Sequence, residues 1–242
     1  VVYKRQMLKA ANRVLESGWY VLGNECKQFE EQWSTVCGVG HGIGVANGMD
    51  AIEIALLGLS IGGGDEVITT PMTAFATILA IIRSGAKPVL ADIDSETALL
   101  SIESVRRSLT ANTKAVILVH LYGQVRQMDE WVNFCEENKI MLVEDCAQAH
   151  QATWKGKVAG CFGQAGAYSF YPTKNLGAVG DAGMLVTNNS TLAEKARQLR
   201  NYGQSERYLH PVVGMNSRLD EIQAVMLSER MKWLPEFTKC RR

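Results

Sequence analysis

The chain has 242 residues, 47% hydrophobic and 21% charged, enough for one large α/β domain with a filled core. Its 25 basic and 25 acidic side chains cancel, which argues against nucleic acid or a polybasic membrane surface as partner. Six cysteines without a C-x-x-C pair argue for reduced thiols in a cytoplasmic protein, and no apolar run reaches membrane-spanning length.

From the N-terminus, residues 4–16 and 25–36 carry apolar side chains at helical spacing (Met7, Leu8, Ala11, Val14, Leu15; then Cys26, Phe29, Trp33), with a loop at 18–23 between them. Strands are expected at 44–46, 66–70, 88–92, 115–120, 141–144, 165–170 and 183–187. Several are unbroken Val/Ile/Leu runs, as in strands covered by helices on both faces. Helices are expected at 50–60, 73–84, 102–109, 128–138, 191–200 and 218–231, the last extending amphipathically towards Leu234. This alternation predicts a mostly parallel α/β sheet. Residues 150–163 and 201–217 are left as long irregular stretches, a length that often marks function. The chain opens on Val1 and closes soon after its last amphipathic stretch, so a piece of a longer protein is expected.

Ligands of such sheets bind beyond the carboxyl ends of the strands. Polar clusters fall there at Asn47-Gly48, Thr70-Pro71, His120-Leu-Tyr-Gly123, Asp145 and Ser169 to Lys174. Asn47-Gly48-Met49 offers a strand–helix turn whose free amides suit an anion, or is an ordinary turn. Asp145, at the end of an apolar strand, needs a partner such as a cationic ring nitrogen, or is a helix N-cap. Lys174 follows a strand and a Pro-containing turn, with Ser169 five residues earlier to offer a hydroxyl to a phosphate. A desolvated lysine forms Schiff bases, whereas a lone lysine is usually surface decoration. The run Gly38-Val-Gly-His-Gly-Ile-Gly44 fits no dinucleotide fingerprint, because the third glycine position is Ile43 and the run precedes its strand. No P-loop is present, and the four histidines show no metal spacing.

Six stretches taken together resemble one family. They are Val45-Ala-Asn-Gly48, Val119-His-Leu-Tyr-Gly-Gln124, Glu144-Asp-Cys-Ala-Gln-Ala-His150, Ser169-Phe-Tyr-Pro-Thr-Lys-Asn-Leu-Gly177, Asn201-Tyr-Gly203 and Asn216-Ser-Arg-Leu-Asp-Glu-Ile-Gln-Ala224. The chain is similar, from Gly18 to about residue 240, to the nucleotide-sugar aminotransferases of the DegT/DnrJ/EryC1/StrS type, which use pyridoxal 5'-phosphate (PLP). The resemblance implies a PLP-dependent aminotransferase type I-like large domain with a mostly parallel seven-stranded sheet flanked by helices. It divides the chain into an N-terminal helix and loop (1–25), the PLP-binding domain (26–230) and the start of a small C-terminal domain (231–242), the rest of which is missing.

The resemblance also implies roles. Lys174 matches the Schiff-base lysine and sole catalytic residue named, Asp145 the acid on the pyridine nitrogen, and Gln148 the neighbour of the ring hydroxyl. Ser169 with the Gly48 and Met49 amides matches the phosphate cup. Asn216 matches a residue that reaches the phosphate from a second subunit, which implies a homodimer with shared sites. Two positions depart from the pattern: Met49 stands where Thr or Ser is usual, and Ala74 follows Thr73 where a stacking aromatic is usual, leaving Phe75 as the candidate. Tyr20, His150, Tyr202 and Arg207 are candidate sugar-nucleotide contacts. The implied reaction is transamination of a ketone on a nucleotide-linked deoxyhexose, at C3 or C4 with C3 slightly preferred, and with L-glutamate as donor. A non-catalytic PLP domain with a structural or regulatory role is the alternative.

Overall fold

A computed structural model describes residues 2–241. Its strands are β1 (His41–Val45), β2 (Glu66–Thr69), β3 (Lys87–Leu90), β4 (Thr113–Val119), β5 (Met141–Asp145), β6 (Thr153–Trp154), β7 (Lys157–Val158), β8 (Ala165–Ser169) and β9 (Gly183–Thr187). The helices are α1 (Val2–Ser17), α2 (Asn24–Cys37), α3 (Gly48–Gly58), α4 (Phe75–Arg83), α5 (Ile102–Ser108), α6 (Met128–Glu137), α7 (Ser190–Leu199), α8 (Glu221–Met231) and α9 (Leu234–Lys239). All seven expected strands join one sheet in the order β1-β9-β8-β5-β4-β2-β3. Only β9 runs against its neighbours; the β2–β3, β2–β4, β4–β5 and β5–β8 pairs are parallel.

The unbroken apolar strands are explained by two cores, one on each face. Val116, Leu118, Leu142, Met184 and Val186 point into a core with Phe29, Trp33, Trp131 and Phe134. Their alternating neighbours Ala115, Ile117, Val143 and Leu185 join the core formed with α3, α4 and α7. Helix α3 is apolar nearly all round because it lies between the sheet and α4 and α7; its two buried acids, Asp50 and Glu53, meet Arg83 at 3.8 and 2.7 Å.

Strand β1 is a sheet edge, where unpaired backbone groups need partners. At Gly44 they come from side chains: the N–H donates to Glu30 Oε1 at 2.8 Å, and Arg200 Nη1 donates to the carbonyl at 2.7 Å. Glu30 and Arg200 also pair with each other, so a buried ion pair stands in for a missing strand.

Two expectations need correction. Residues 150–163 are not simply irregular: they hold the β6–β7 hairpin and a turn at 160–163 bound by Glu144. The last helical stretch does not run through to Leu234. Helix α8 stops at Met231 and α9 begins anew with Pro235 in its first turn, where the missing N–H costs nothing. Among the described residues no helix is long and apolar enough to cross a membrane. All six cysteines are free, five of them buried.

Candidate active site

β1, β5 and β8 bring their carboxyl ends to one edge of the sheet, and three chain segments converge there. Asp145 closes β5 and is buried. No helix follows it, so the helix-cap alternative fails. Its Oδ1 accepts the Ala147 amide at 3.1 Å in a local turn, and its Oδ2 accepts the Thr77 hydroxyl at 2.8 Å.

Ser169 closes the neighbouring strand β8, and the chain turns through Pro172 to Lys174, whose amide donates to the Tyr171 carbonyl at 2.8 Å. Lys174 is half-buried. Burial holds its ammonium below the usual lysine range, and the Asp145 charge opposes that shift in part. An amine so placed spends more time unprotonated, the form that attacks a carbonyl.

The third segment is the turn from β1 into α3. The Asn47 side chain caps the helix by accepting the Asp50 amide at 2.8 Å. Gly48 lies against Ser169 so closely that a Cβ would stand 2.7 Å from the serine Cβ. Gly183 on β9 is tighter still, with a Cβ only 2.3 Å from Asn47 backbone atoms. Gly48 and Met49 supply first-turn amides, which have no partner within a helix. The Met49 side chain packs on the apolar core, so its amide is the group it offers a ligand.

Lys174 and Gln148 line a cavity of about 480 Å³ together with Tyr122, His150, Thr238 and Arg241. Gln148 Oε1 accepts the Tyr122 amide at 2.7 Å. Arg241 Nη2 donates to the Thr173 carbonyl at 2.8 Å, so the chain after α9 braces the lysine loop. A larger cavity of about 710 Å³ lies at the other end of β1, beside His41 and Gly42, and contains none of the candidate residues.

His150 lines the Lys174 cavity from the core side. It is 3% exposed, among Trp33, Tyr168 and Phe170, and its Nε2 donates to the Ser169 carbonyl at 3.0 Å. Burial pushes its pKa down to about 3, so the ring is neutral, and its buried Nδ1 has no partner. The histidine supports Ser169 from within the core.

Tyr20, Tyr202, Arg207 and Asn216 are not gathered at the Lys174 cavity within this chain. Tyr20 is exposed, with its carbonyl accepting the Glu221 amide at 3.0 Å. The Arg218 guanidinium stacks over Tyr202 at 5.3 Å, and that of Arg207 over Tyr208 at 5.1 Å. Asn216 is exposed beside Asn201. Phe75 is exposed on the first turn of α4, two residues before Thr77.

Thr77, Thr238 and Arg241 join the site without any expectation from the sequence. For Thr77 a signal existed: it is the one hydroxyl in the apolar helix Phe-Ala-Thr-Ile-Leu-Ala-Ile-Ile-Arg. The cluster His120, Glu144 and Cys146 places three potential metal ligands within 4.8 Å of one another. Glu144, however, is already engaged. It accepts the amides of Gly160, Phe162 and Gly163 at 2.7, 2.7 and 2.9 Å and His120 Nε2 at 2.8 Å.

A cradle closed by Gly48 and Ser169, an amine of lowered pKa and a buried carboxylate match the three features of a phosphorylated pyridine aldehyde: phosphate, carbonyl and ring nitrogen. Fold and site together define an aminotransferase large domain of the type I architecture. The chain belongs to the DegT/DnrJ/EryC1/StrS aminotransferase family, whose profile matches residues 2–242. It is 45% identical to the dTDP-3-amino-3,6-dideoxy-alpha-D-galactopyranose transaminase of Aneurinibacillus thermoaerophilus, over 99% of this chain and 66% of that one. It is also 45% identical to a protein of Geobacillus stearothermophilus named pleiotropic regulatory protein, over 99% of this chain and 64% of that one. The solved structure of S. venezuelae DesV in complex with a ketimine intermediate superposes with a TM-score of 0.94 at 42% identity, covering 96% of this chain and 63% of that one. The chain thus spans about two thirds of the length of these relatives.

Proposed function

We propose that this chain is the cofactor-binding part of a PLP-dependent aminotransferase that aminates a keto carbon of a nucleotide-linked deoxyhexose, at position 3, with L-glutamate as donor. The observation that carries the reading is the half-buried Lys174, lowered in pKa beside the buried Asp145. The choice of position 3 is supported by relatives named as 3-amino sugar transaminases, at 45% and 44% identity.

When bound, PLP supplies a carbonyl and an electron sink. The chain's own residues do the rest. Ser169 and the Gly48 and Met49 amides hold the phosphate, and Asp145 holds the ring nitrogen by charge. Gln148 lines the same cavity as Lys174 and would meet the ring hydroxyl. Lys174 Nζ would serve as the base that takes up the proton and the acid that returns it. Phe75 stands on the first turn of α4 as the candidate for stacking. Asn216 is exposed and would reach the phosphate in the site of a second copy, in a cytoplasmic homodimer; Tyr20, His150, Tyr202 and Arg207 are the candidate sugar-nucleotide contacts.

A regulatory PLP domain without turnover is the second reading, favoured by the name of the Geobacillus stearothermophilus relative. Incubation of the protein with PLP, L-glutamate and a dTDP-linked 3-keto-deoxyhexose separates the two. Formation of 2-oxoglutarate with a 3-amino sugar, placed by NMR, is expected. Cofactor uptake without any aminated product from 3-keto or 4-keto sugar nucleotides would favour the second reading.

A further inference from the structure

We infer that Thr77 is a positioning residue for the Asp145 carboxylate, fed by a one-way hydrogen-bond chain from Thr73 through Thr77 to Asp145. The inference rests on the proposal that Asp145 faces the ring nitrogen of a bound cofactor.

The geometry fixes the direction of the chain. A carboxylate only accepts, so the Thr77 hydroxyl donates to Asp145 Oδ2, at 2.8 Å. Its single proton is then committed, so the Thr73 hydroxyl, 2.7 Å away, must be the donor in the second bond. Both carboxylate oxygens therefore carry one fixed donor each, the Thr77 hydroxyl on Oδ2 and the Ala147 amide on Oδ1. Two donors on two oxygens set the rotation of the carboxyl plane. The remaining lone pairs are left for a cationic N–H.

Helix formation does not explain this bond. A threonine in a helix commonly turns its hydroxyl back to the carbonyl four residues earlier. Thr77 is fully buried, and its hydroxyl instead crosses from α4 to the end of β5, 68 residues away. It also lies in the first turn of α4, whose N-cap is Ala74 with no side-chain cap. The positive end of that helix adds favourable potential at the carboxylate.

The test compares Thr77→Val, which keeps the shape and removes the hydroxyl, with Thr77→Ser, which keeps the hydroxyl. PLP affinity and the visible circular dichroism of the bound cofactor are measured on each, with thermal unfolding of the cofactor-free proteins as a folding control. Thr77→Val is expected to raise the PLP dissociation constant on the order of 10-fold and to change the visible dichroism, as loss of a hydrogen bond to a charged group would do. Thr77→Ser should restore both, and Thr73→Val should give a smaller change of the same sign. A Thr77→Val protein that matches the wild type in affinity and dichroism overturns the inference. So does one whose loss is not rescued by serine. If Thr77→Val fails to fold, Thr73→Val decides alone, and an unchanged affinity and spectrum there would overturn the inference. A wild-type protein that develops no visible band with PLP would instead overturn the cofactor assignment, and this inference with it.

Discussion

Gly48 and Ser169 meet without room for a side chain between them: a Cβ on the glycine would lie 2.7 Å from the serine Cβ and 3.1 Å from its Cα. The contact joins the first turn of α3 to the end of β8, elements 121 residues apart in the chain as counted from the two residue numbers. It brings helix amides and a hydroxyl to one point.

Gly48→Ala tests the consequence. Overpacking of this kind costs about 1–3 kcal/mol. Because the displaced atoms are those proposed to hold the phosphate, PLP affinity should fall by roughly 10-fold, for a modest loss of fold stability. A PLP titration followed by absorbance, beside a urea melt, separates the two effects. A variant with reduced stability and unchanged affinity would remove Gly48 from the site.

Glu144 makes a separate prediction. It is fully buried and accepts three backbone amides and one imidazole nitrogen, pinning the 160–163 turn to β5. Glu144→Ala would strand those donors in the core, each at about 1–3 kcal/mol. A destabilisation of roughly 3–5 kcal/mol is expected in chemical denaturation. A loss below about 1 kcal/mol would mean that water or a rearranged turn meets the same donors.

His150 predicts an acid limb. Its folded-state pKa of about 3 lies below the ordinary 6.5 because burial disfavours the imidazolium. Between those values the unfolded chain binds the extra proton, so stability falls as pH drops from 6.5 towards 3. The slope from this one group is about 1.4 kcal/mol per pH unit. Denaturation midpoints across that window should flatten by this amount in His150→Phe relative to wild type. Equal slopes in the two proteins would show that the ring is already protonated in the fold.

Much of this arrangement was legible in the sequence. All seven expected strands join one sheet, and several stand out as Val/Ile/Leu blocks because strands covered on both faces need no alternation. Asp145, Ser169, Gly48 and Lys174 fall at or just beyond strand ends; parallel pairing of β5 with β8 joins the first two, and β9, antiparallel to both β1 and β8, brings the end of β1 to the same edge. What was hidden depended on tertiary partners. The bond from Thr77 to Asp145 spans two elements: the lone hydroxyl in an apolar helix marks Thr77 out, but not which element it faces. His150 read as polar and available, yet it lies among three aromatic rings supplied by α2, β8 and the residue after β8. Residues 160–163 looked like free loop because their anchor, Glu144, lies in another strand. The break before α9 is marked by Pro235, but the apolar pattern continues across it through Leu234.

The central claim is that Lys174 is the residue that binds the cofactor covalently. Borohydride reduction of the PLP-loaded protein, followed by digestion and mass mapping, tests it directly. A single phosphopyridoxyl group on Lys174, absent from Lys174→Ala treated in the same way, is the predicted result. A label on another lysine, or one that persists in Lys174→Ala, would contradict the account.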